Sequence, residues 1–458
     1  MFTINFNDKT TLYEQLYHRI RTDIESGFLG QNEKLPSKRK LAKHLQISIS
    51  TVQNAYEQLL AEGYIISKEK KGYYVCDEPV FAGRKIIIPP PLVITEPQAE
   101  SPQFDLKTNA VDTEHFPYSV WSRLMRESMR ENPTVLLHSL HPQGNYDLRV
   151  EIANYLQAFR DVNITPEQII LGAGIEYIIG LITELLPVAF FAYENPGYMK
   201  IRKILESRRM DAVAVPVDNN GLIVEKLAQT GATAVFVTAS NHFPTGAVMG
   251  VGRRRQLIEW AEQSDERYII EDDFNSEFRF VLKPIPALQS LDTSEKVIYI
   301  NSFAQTLAPS LRMAYAVLPE TLLQRYREKL MFYSCTVSQF EQLTLKRFLQ
   351  GGYYERHLGR MKTVYRNRQK IFIDGLSPII ENLILDGQKA GLHLQIKSAK
   401  LTECELVKLA NDKGVRVYPF SDFYAVPPPE THTVALGFAG CGDDELREVA
   451  GRLCAAWE

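Results

Sequence analysis

The first 76 residues show apolar positions at the spacing of short helices. An apolar residue recurs at every fourth position from Leu12 to Ile24, which predicts a first helix that ends near Gly27. Ser37 is suited to cap a second helix, because its hydroxyl can accept a hydrogen bond from a free backbone N–H group. Residues 52–60 follow the i, i+3, i+4, i+7, i+8 spacing of a third helix with one buried face.

Two short β-prone runs, residues 64–68 and 72–76, follow the third helix, and Glu69-Lys70-Lys71 joins them as a hairpin with a basic tip. Three helices followed by such a hairpin are typical of a winged helix-turn-helix, a small α+β domain whose third helix enters the major groove of DNA. We therefore predict a DNA-binding domain over residues 1–76. The alternative is a small helical domain with a polar surface.

The polar residues of this domain fall where a DNA-binding protein needs them. The small polar side chains near the start of the third helix, which can reach base edges, are Ser48, Ser50, Thr51, Gln53 and Asn54. Lys38 and Arg39 lie where the preceding helix would cross phosphates, and Lys70 and Lys71 could reach the backbone or the minor groove. The predicted partner is double-stranded DNA.

Residues 77–103 contain six prolines and few periodic apolar positions. Consecutive prolines favour an extended, semi-rigid conformation, so we predict a Pro-rich linker over this range. From about residue 104, apolar strands alternate with helices, which is typical of a parallel sheet covered by helices. The second predicted domain, an α/β unit, therefore spans residues 104–458.

Length and composition agree with this division. A chain of 458 residues is expected to form two or three domains. With 45% hydrophobic and 23% charged residues, it is not a disordered or fibrous protein. The net charge of −3 hides an uneven distribution, because residues 1–76 hold 11 Lys and Arg against 8 Asp and Glu. That segment therefore carries +3 and the remainder −6, which fits a basic DNA-binding part.

The five cysteines are scattered and odd in number, so we predict neither a disulfide framework nor a metal site. The N-terminus lacks a charged region followed by an apolar one, which a signal peptide would have. The most apolar stretch, residues 178–193, is interrupted by Glu184 and Pro187 and is too short to span a bilayer. We therefore expect a cytoplasmic protein without a membrane partner.

The N-terminal segment resembles the GntR family of bacterial repressors. The family motifs stand here as LPSKRKLA (35–42), ISISTV (47–52), AYEQL (55–59) and KKGYYV (70–75), and they cover the whole predicted domain. One position departs from the family, which has an arginine where this chain has Ile49. The resemblance implies that a phosphate contact is lost there.

The second part resembles a fold-type-I pyridoxal-phosphate enzyme of the aminotransferase kind. The motifs ENPGY (194–198), FPTG (243–246), EDDF (271–274) and NSFAQTLAPSLR (301–312) occur in the order of that family. HPQGNYDLRVEIANYL (141–156) resembles the MocR-type subfamily of GntR regulators, in which a winged helix is fused to such a domain. This resemblance implies a large α/β domain with a small C-terminal subdomain at about 352–458, and a homodimer.

In such a domain, each motif has a task at the cofactor. The resemblance implies that Asp272 would pair with the pyridine nitrogen, Arg312 with the phosphate, and the Tyr198 ring with the face of the cofactor. Backbone N–H groups around Gly174 and Ile175, between a strand and a helix, would complete a phosphate cup.

The residue that would bind the cofactor covalently is missing. The family motif S-K-T-L supplies a lysine for the Schiff base, and this chain has Ala304-Gln305-Thr306-Leu307 instead. An amide nitrogen is not nucleophilic, so Gln305 cannot form an aldimine. Phe274 stands where the family has a tyrosine, and Glu176, where it has a glutamine, would repel a phosphate.

Residues 433–439 also lack the arginine expected to hold a substrate carboxylate. Several altered positions in one pocket favour natural repurposing over a single engineered change. The first hypothesis is a DNA-binding transcriptional regulator, not an enzyme, whose aminotransferase-like domain is inactive, dimerises and could sense a small molecule. Pyridoxal phosphate would then be bound noncovalently or not at all. The alternatives are an active aminotransferase and a regulator whose large domain binds no ligand.

Overall fold

The computed structural model describes residue 4 and residues 10–77, 102–131, 133–280, 285–388, 391–426, 428 and 431–458. The chain divides into two compact units, Met1–Ala99 and Glu100–Glu458. Most of the predicted linker, residues 78–101, lies outside the described residues, so its boundaries stay a prediction.

The first unit is a winged helix-turn-helix, as predicted. Its elements are helices α1 (Leu12–Glu25), α2 (Lys38–Leu45) and α3 (Ile49–Ala61), and the antiparallel strands β1 (Ile65–Lys68) and β2 (Gly72–Val75). Ser37 caps α2 by accepting a hydrogen bond from the Lys40 N–H (3.3 Å), and Ser48 caps α3 through the Thr51 N–H (3.0 Å). The apolar faces of the three helices meet in one core around Ile20, Leu41 and Tyr56.

The second unit contains eleven helices and fourteen strands among its described residues. They are, in chain order, β3 (Phe104–Asp105), α4 (Tyr118–Glu131), α5 (Tyr146–Arg160), β4 (Ile169–Gly172), α6 (Ile175–Leu185), β5 (Phe191–Asn195), α7 (Met199–Ser207), β6 (Ala212–Asp218), β7 (Gly221–Leu222), α8 (Val224–Ala228), β8 (Ala234–Val237), α9 (Val251–Glu262), β9 (Tyr268–Asp272), β10 (Val297–Ser302), β11 (Ala314–Val317), α10 (Glu320–Lys329), α11 (Gln339–Gln350), α12 (Tyr353–Gly375), β12 (Leu383–Asp386), β13 (His393–Ser398), α13 (Glu403–Asp412), β14 (Val415–Arg416), β15 (Tyr418–Pro419), β16 (Thr433–Gly437) and α14 (Asp443–Trp457).

Eight of these strands form the central sheet, in the order β4-β11-β10-β9-β8-β5-β6-β7. Strands β10, β9, β8, β5 and β6 run parallel to one another, whereas β11 is antiparallel to β10 and β4, and the edge strand β7 is antiparallel to β6. The central strands are buried along their whole length, which explains their continuous apolar sequences. The carboxyl ends of β5, β8 and β9 therefore meet at one edge of the sheet.

A smaller antiparallel sheet, β12-β13-β16-β15, lies in the C-terminal part of this unit. Helix α14 packs on α12 and α13 beside it. Strand β3 pairs with β14 through Phe104 and Val415, so the first residues of the unit also join this subdomain. The predicted subdomain at 352–458 did not include them, because pairing between residues so far apart has no local signal.

All five cysteines are free. Among the described residues, no helix has both the length and the apolar character that a membrane span requires.

Candidate functional site

The predicted base-reading residues gather at the start of α3. The Ser48 hydroxyl lies 2.7 Å from the hydroxyls of both Ser50 and Thr51, so these three residues form one polar cluster that also caps the helix. Gln53 donates to Glu57 (2.7 Å), and Asn54 is exposed. Ile49, the position that departs from the family, is 50% exposed among them. An exposed aliphatic side chain there could contact a thymine methyl group, although it cannot bind a phosphate.

The predicted phosphate-binding residues lie on α2 and on the turn of the hairpin. Arg39 is exposed, and the Lys38 ammonium lies 5.6 Å from the centre of the Tyr73 ring on β2. Lys70 and Lys71 are exposed at the turn between the two strands, where Lys70 has a positive φ of 56°.

Two further lysines extend this basic surface beyond the sequence prediction. The ammonium groups of Lys34 and Lys68 lie 5.8 and 4.6 Å from the centre of the Tyr74 ring. Lys68 could have been found from the alternation of side chains along β1, because it stands at the end of the hairpin next to its basic tip.

In the second unit, two acidic side chains lie at the carboxyl edge of the sheet. Glu194 is in β5 and Asp272 ends β9, two strands separated only by β8. Both residues are buried. The Thr238 N–H donates to Glu194 Oε2 (3.0 Å), whereas Glu194 Oε1 has no hydrogen-bond partner in the described part of the chain. This edge is where ligands bind in parallel α/β sheets.

Asp272 has no hydrogen bond to any described residue. Burial, and after it repulsion from Asp273 and Glu194, raises the pKa of Asp272 to about 7. A carboxylate in this condition needs a proton or a positively charged donor from a ligand.

A buried network holds Asp273, the residue that follows Asp272. Arg160 forms two hydrogen bonds to the Asp273 carboxylate (2.7 and 2.8 Å), which also accepts from Tyr299 (2.6 Å) and Ser276 (2.8 Å). Because all these groups are buried and paired, the end of β9 at Asp272 and the following residues up to Phe274 are held in one position.

Aromatic rings surround this acidic edge. Phe243 contacts Tyr198, Phe274 and Phe423, with ring centroids 6.2, 5.9 and 5.0 Å apart and nearly perpendicular planes. Burial raises the pKa of the Tyr198 hydroxyl, which stands before α7; Lys200 lowers this pKa, and the nearby Asp272 carboxylate raises it. The structure therefore brings the predicted residues Tyr198, Asp272 and Phe274 together, with Phe243 between two of the rings.

At the predicted phosphate-binding end, around Arg312 and Gly174, a carboxylate of the chain itself pairs with the cations. Arg312 Nη2 lies 2.7 Å from Glu176 Oε2, and Lys200 Nζ lies 3.2 Å from Glu176 Oε1. Burial alone would raise the pKa of Glu176, but the hydrogen bonds from Arg312 and Lys200 lower it to about 2. Glu176 is therefore ionised at every physiological pH. Lys200 was not among the predicted residues, since nothing in the sequence connects it to Arg312.

The glycine turn before α6 is also filled. A Cβ atom on Gly174 would overlap the Arg312 guanidinium, so the guanidinium covers this turn. The Gly174 N–H, predicted to face a phosphate, donates to the Gly172 carbonyl instead (2.8 Å), because the positive φ of 92° closes a tight turn. Ile175 begins α6 directly after it.

Gln305 lies on the loop that follows β10, the strand paired with β9. Its side-chain amide donates to the Asn109 carbonyl (3.1 Å), while its Oε1 atom is buried without a partner among the described residues. This side chain has no amine. The arrangement thus offers a cation-binding acidic edge and a closed anion end, without a nucleophile at Gln305.

Sequence reasoning also missed a buried amide in this region. Neither side-chain polar atom of Asn241 has a hydrogen-bond partner in the described residues, although the residue is buried. It lies against Gly391 and beside His393, whose ring contacts Phe243 at 4.9 Å. An asparagine in a loop gives no sequence signal of this kind.

Comparisons with known proteins agree with both units. A profile described as "Bacterial regulatory proteins, gntR family" matches residues 12–75. The uncharacterized HTH-type transcriptional regulator YdeL of Bacillus subtilis is 38% identical over 98% of this chain and 97% of its own. The probable rhizopine catabolism regulatory protein MocR of Rhizobium meliloti is 30% identical over 100% of this chain and 96% of its own.

Solved structures show the fold of the second unit. A kynurenine aminotransferase from Pyrococcus horikoshii superposes with a TM-score of 0.69 at 22% identity, over 78% of this chain and 91% of that chain. A multiple substrate aminotransferase from Thermococcus profundus gives a TM-score of 0.68 at 22% identity, over 78% of this chain and 92% of that chain.

Proposed function

The chain belongs to the MocR-type branch of the GntR family of bacterial regulatory proteins, and on this premise we propose that it regulates transcription with an aminotransferase-like domain that catalyses no transamination. The observation that carries the proposal is Gln305, whose amide is hydrogen-bonded to Asn109 where the family resemblance expects a lysine. Without an amine at this position there is no group to form a Schiff base with the cofactor aldehyde.

The pocket fits pyridoxal phosphate only in part. The buried, unpartnered Asp272 and the Tyr198 ring suit a protonated pyridine ring. The phosphate end does not fit, because Glu176 already neutralises Arg312 and Lys200. We therefore assign no reaction step to this cofactor.

The first unit supplies the DNA-binding function. The polar cluster at the start of α3 would enter the major groove, while Lys38, Arg39, Lys70 and Lys71 would bind phosphates on either side. The test is binding of the full-length protein to its own upstream DNA. We expect sequence-selective binding that weakens steeply with salt, and its absence would overturn the proposal.

Borohydride reduction after incubation with pyridoxal phosphate should leave no stoichiometric adduct on any single lysine. The physical reason is that Gln305 is an amide and that Lys200 is ion-paired with Glu176. Peptide mapping by mass spectrometry checks this. The positive control is the double variant Gln305→Lys with Glu176→Gln, because it returns an amine to the loop and releases Arg312 and Lys200 for the phosphate. A full adduct on one wild-type lysine would support the active aminotransferase instead. Lys283, which stands between the EDDF motif (271–274) and Gln305 in the sequence and would be a candidate for that role, lies outside the described residues.

We also propose that the protein is a homodimer, so that two DNA-binding units meet two half-sites, and that a small-molecule effector shifts its DNA affinity. Several apolar side chains are left exposed on the second unit, among them the larger side chains of Leu137 at 83% and Phe332 at 75%. Phe332 also stacks on Tyr333, with ring centroids 4.3 Å apart. Exposed apolar groups of this size favour an interface with a second copy.

Replacing both Leu137 and Phe332 with aspartate should convert the dimer to a monomer and weaken DNA binding at least tenfold, because the linked second contact is lost. Analytical ultracentrifugation measures the first effect and fluorescence anisotropy the second. Val188→Asp is the matched control, since Val188 is 91% exposed on a different connection, between α6 and β5. A wild-type monomer, or a double variant that stays dimeric, would contradict this interface.

A further inference from the structure

The two ends of the pocket have opposite electrostatic needs. At one end, Arg312 and Lys200 each have a partner already, because the two oxygens of Glu176 bind one cation each. At the other end, Asp272 and Glu194 are buried acidic groups: Asp272 has no hydrogen bond to a described residue, and Glu194 Oε1 has no partner among them. The nearest basic group at the acidic edge is the buried His242 ring, whose Nε2 lies 3.4 Å from Glu194 Oε2. Among the described residues, no lysine or arginine pairs with Asp272, and both cations of the anion end are already paired.

A phosphate would have to displace the chain's own groups. The guanidinium of Arg312 covers the turn at Gly174, where a phosphate would need to approach the backbone. The same Arg312 nitrogen also lies 3.3 Å from the Ala173 carbonyl, which holds the guanidinium over the turn from a second side. A phosphate entering here would break both ion pairs of Glu176 and place its charge beside that carboxylate, an arrangement of like charges that opposes binding.

The residues at the acidic edge favour a ligand that is flat and carries a positively charged hydrogen-bond donor. The Asp272 carboxylate can be satisfied by a protonated ring nitrogen or an ammonium group, which would bring both the hydrogen bond and the missing positive charge. Beside it, the buried Phe243 ring packs between the half-buried rings of Tyr198 and Phe274, and aromatic rings of this kind can stack on a flat molecule. Aromatic faces also attract cations.

We propose that this pocket binds a flat, protonated nitrogen heterocycle that carries no phosphate, with Asp272 accepting the hydrogen bond of its ring nitrogen and Glu176 excluding phosphorylated forms. This inference rests on the proposed function, since it names the class of effector that the second unit senses. Glu176 acts here as a specificity-determining residue. It keeps the two cations occupied, so a phosphate group on the ligand becomes a disadvantage.

Pyridoxamine and pyridoxamine phosphate are the matched probes, because they share one ring and one amine and differ only in the phosphate. Isothermal titration of the full-length protein should show at least tenfold tighter binding of pyridoxamine. Glu176→Gln releases Arg312 and Lys200, so it should tighten binding of the phosphate form at least tenfold and change the affinity for pyridoxamine by less than twofold. Glu176→Ala should do the same, which covers the case in which the first variant fails to fold.

Glu206→Gln is the control, since Glu206 also pairs with an arginine, Arg202 at 2.7 Å, but within helix α7 and away from the phosphate end. It should leave both affinities unchanged. The inference is overturned if wild-type protein prefers the phosphate form, if neither probe binds, or if the Glu176 variants leave the preference as it was. DNA binding is measured separately without either probe, so its loss would count against the proposed function and not against this inference.

Discussion

Replacing Lys38 and Arg39 together with alanine should reduce the affinity of the full-length protein for its upstream DNA by a factor of about 100 to 10,000. Each cation that binds a phosphate releases condensed counterions, which contributes about 0.9 to the slope of log K against log salt. A dimer carries both residues twice, so four contacts would disappear and the slope should fall by about 3 to 4. Fluorescence anisotropy over a series of salt concentrations measures both quantities.

The control for this experiment changes the same charge elsewhere. Lys226 and Arg255 are exposed on α8 and α9 of the second unit, so their double alanine variant removes the same two positive charges from a surface with no predicted DNA contact. We expect it to bind DNA as the wild type does. An equal loss in both variants would mean that the affinity follows the net charge, and an unchanged slope in the first would remove Lys38 and Arg39 from the interface.

The N-terminal unit could be predicted almost entirely from the sequence, because its signals are local. A stripe of apolar residues sets each helix, and the capping residues Ser37 and Ser48 stand three positions before the N–H groups that they bind. The hairpin is predictable for the same reason, since β1 and β2 are adjacent in the sequence. The spacing of apolar residues did not predict that the Ile49 side chain would be exposed.

The second unit was predictable in its alternation of strands and helices, but less so in its details. Pairing between β3 and β14 joins residues more than 300 positions apart, and no local pattern announces it. Likewise, the sequence shows that residue 176 is a glutamate, which predicts repulsion of a phosphate. Only the structure shows that Arg312 and Lys200, which are distant in the sequence, pair with its two oxygens. The unpartnered amide of Asn241 is of the same kind.

Asp272 gives the unliganded protein a distinctive dependence of stability on pH. Its pKa is about 7 in the folded state against an ordinary value of 3.8. Below pH 3.8 the group is protonated in both states and contributes nothing. As the pH rises from 3.8 to 7, the unfolded chain loses this proton first, so the free energy of unfolding falls. Above pH 7 the destabilisation is complete and on the order of 4 kcal/mol.

Asp272→Asn should therefore stabilise the unliganded protein and abolish its binding of pyridoxamine. The new amide never ionises, but it stays without a partner, a penalty of about 1–3 kcal/mol. We expect a net gain in the free energy of unfolding of about 1–3 kcal/mol at pH 8, shrinking as the pH falls toward 4. Urea unfolding of wild type and variant at both pH values measures this, with the exposed Asp211→Asn as control. If the variant is less stable at pH 8, or if its gain in stability does not change with pH, then the folded protein does not raise the pKa of Asp272 by burial.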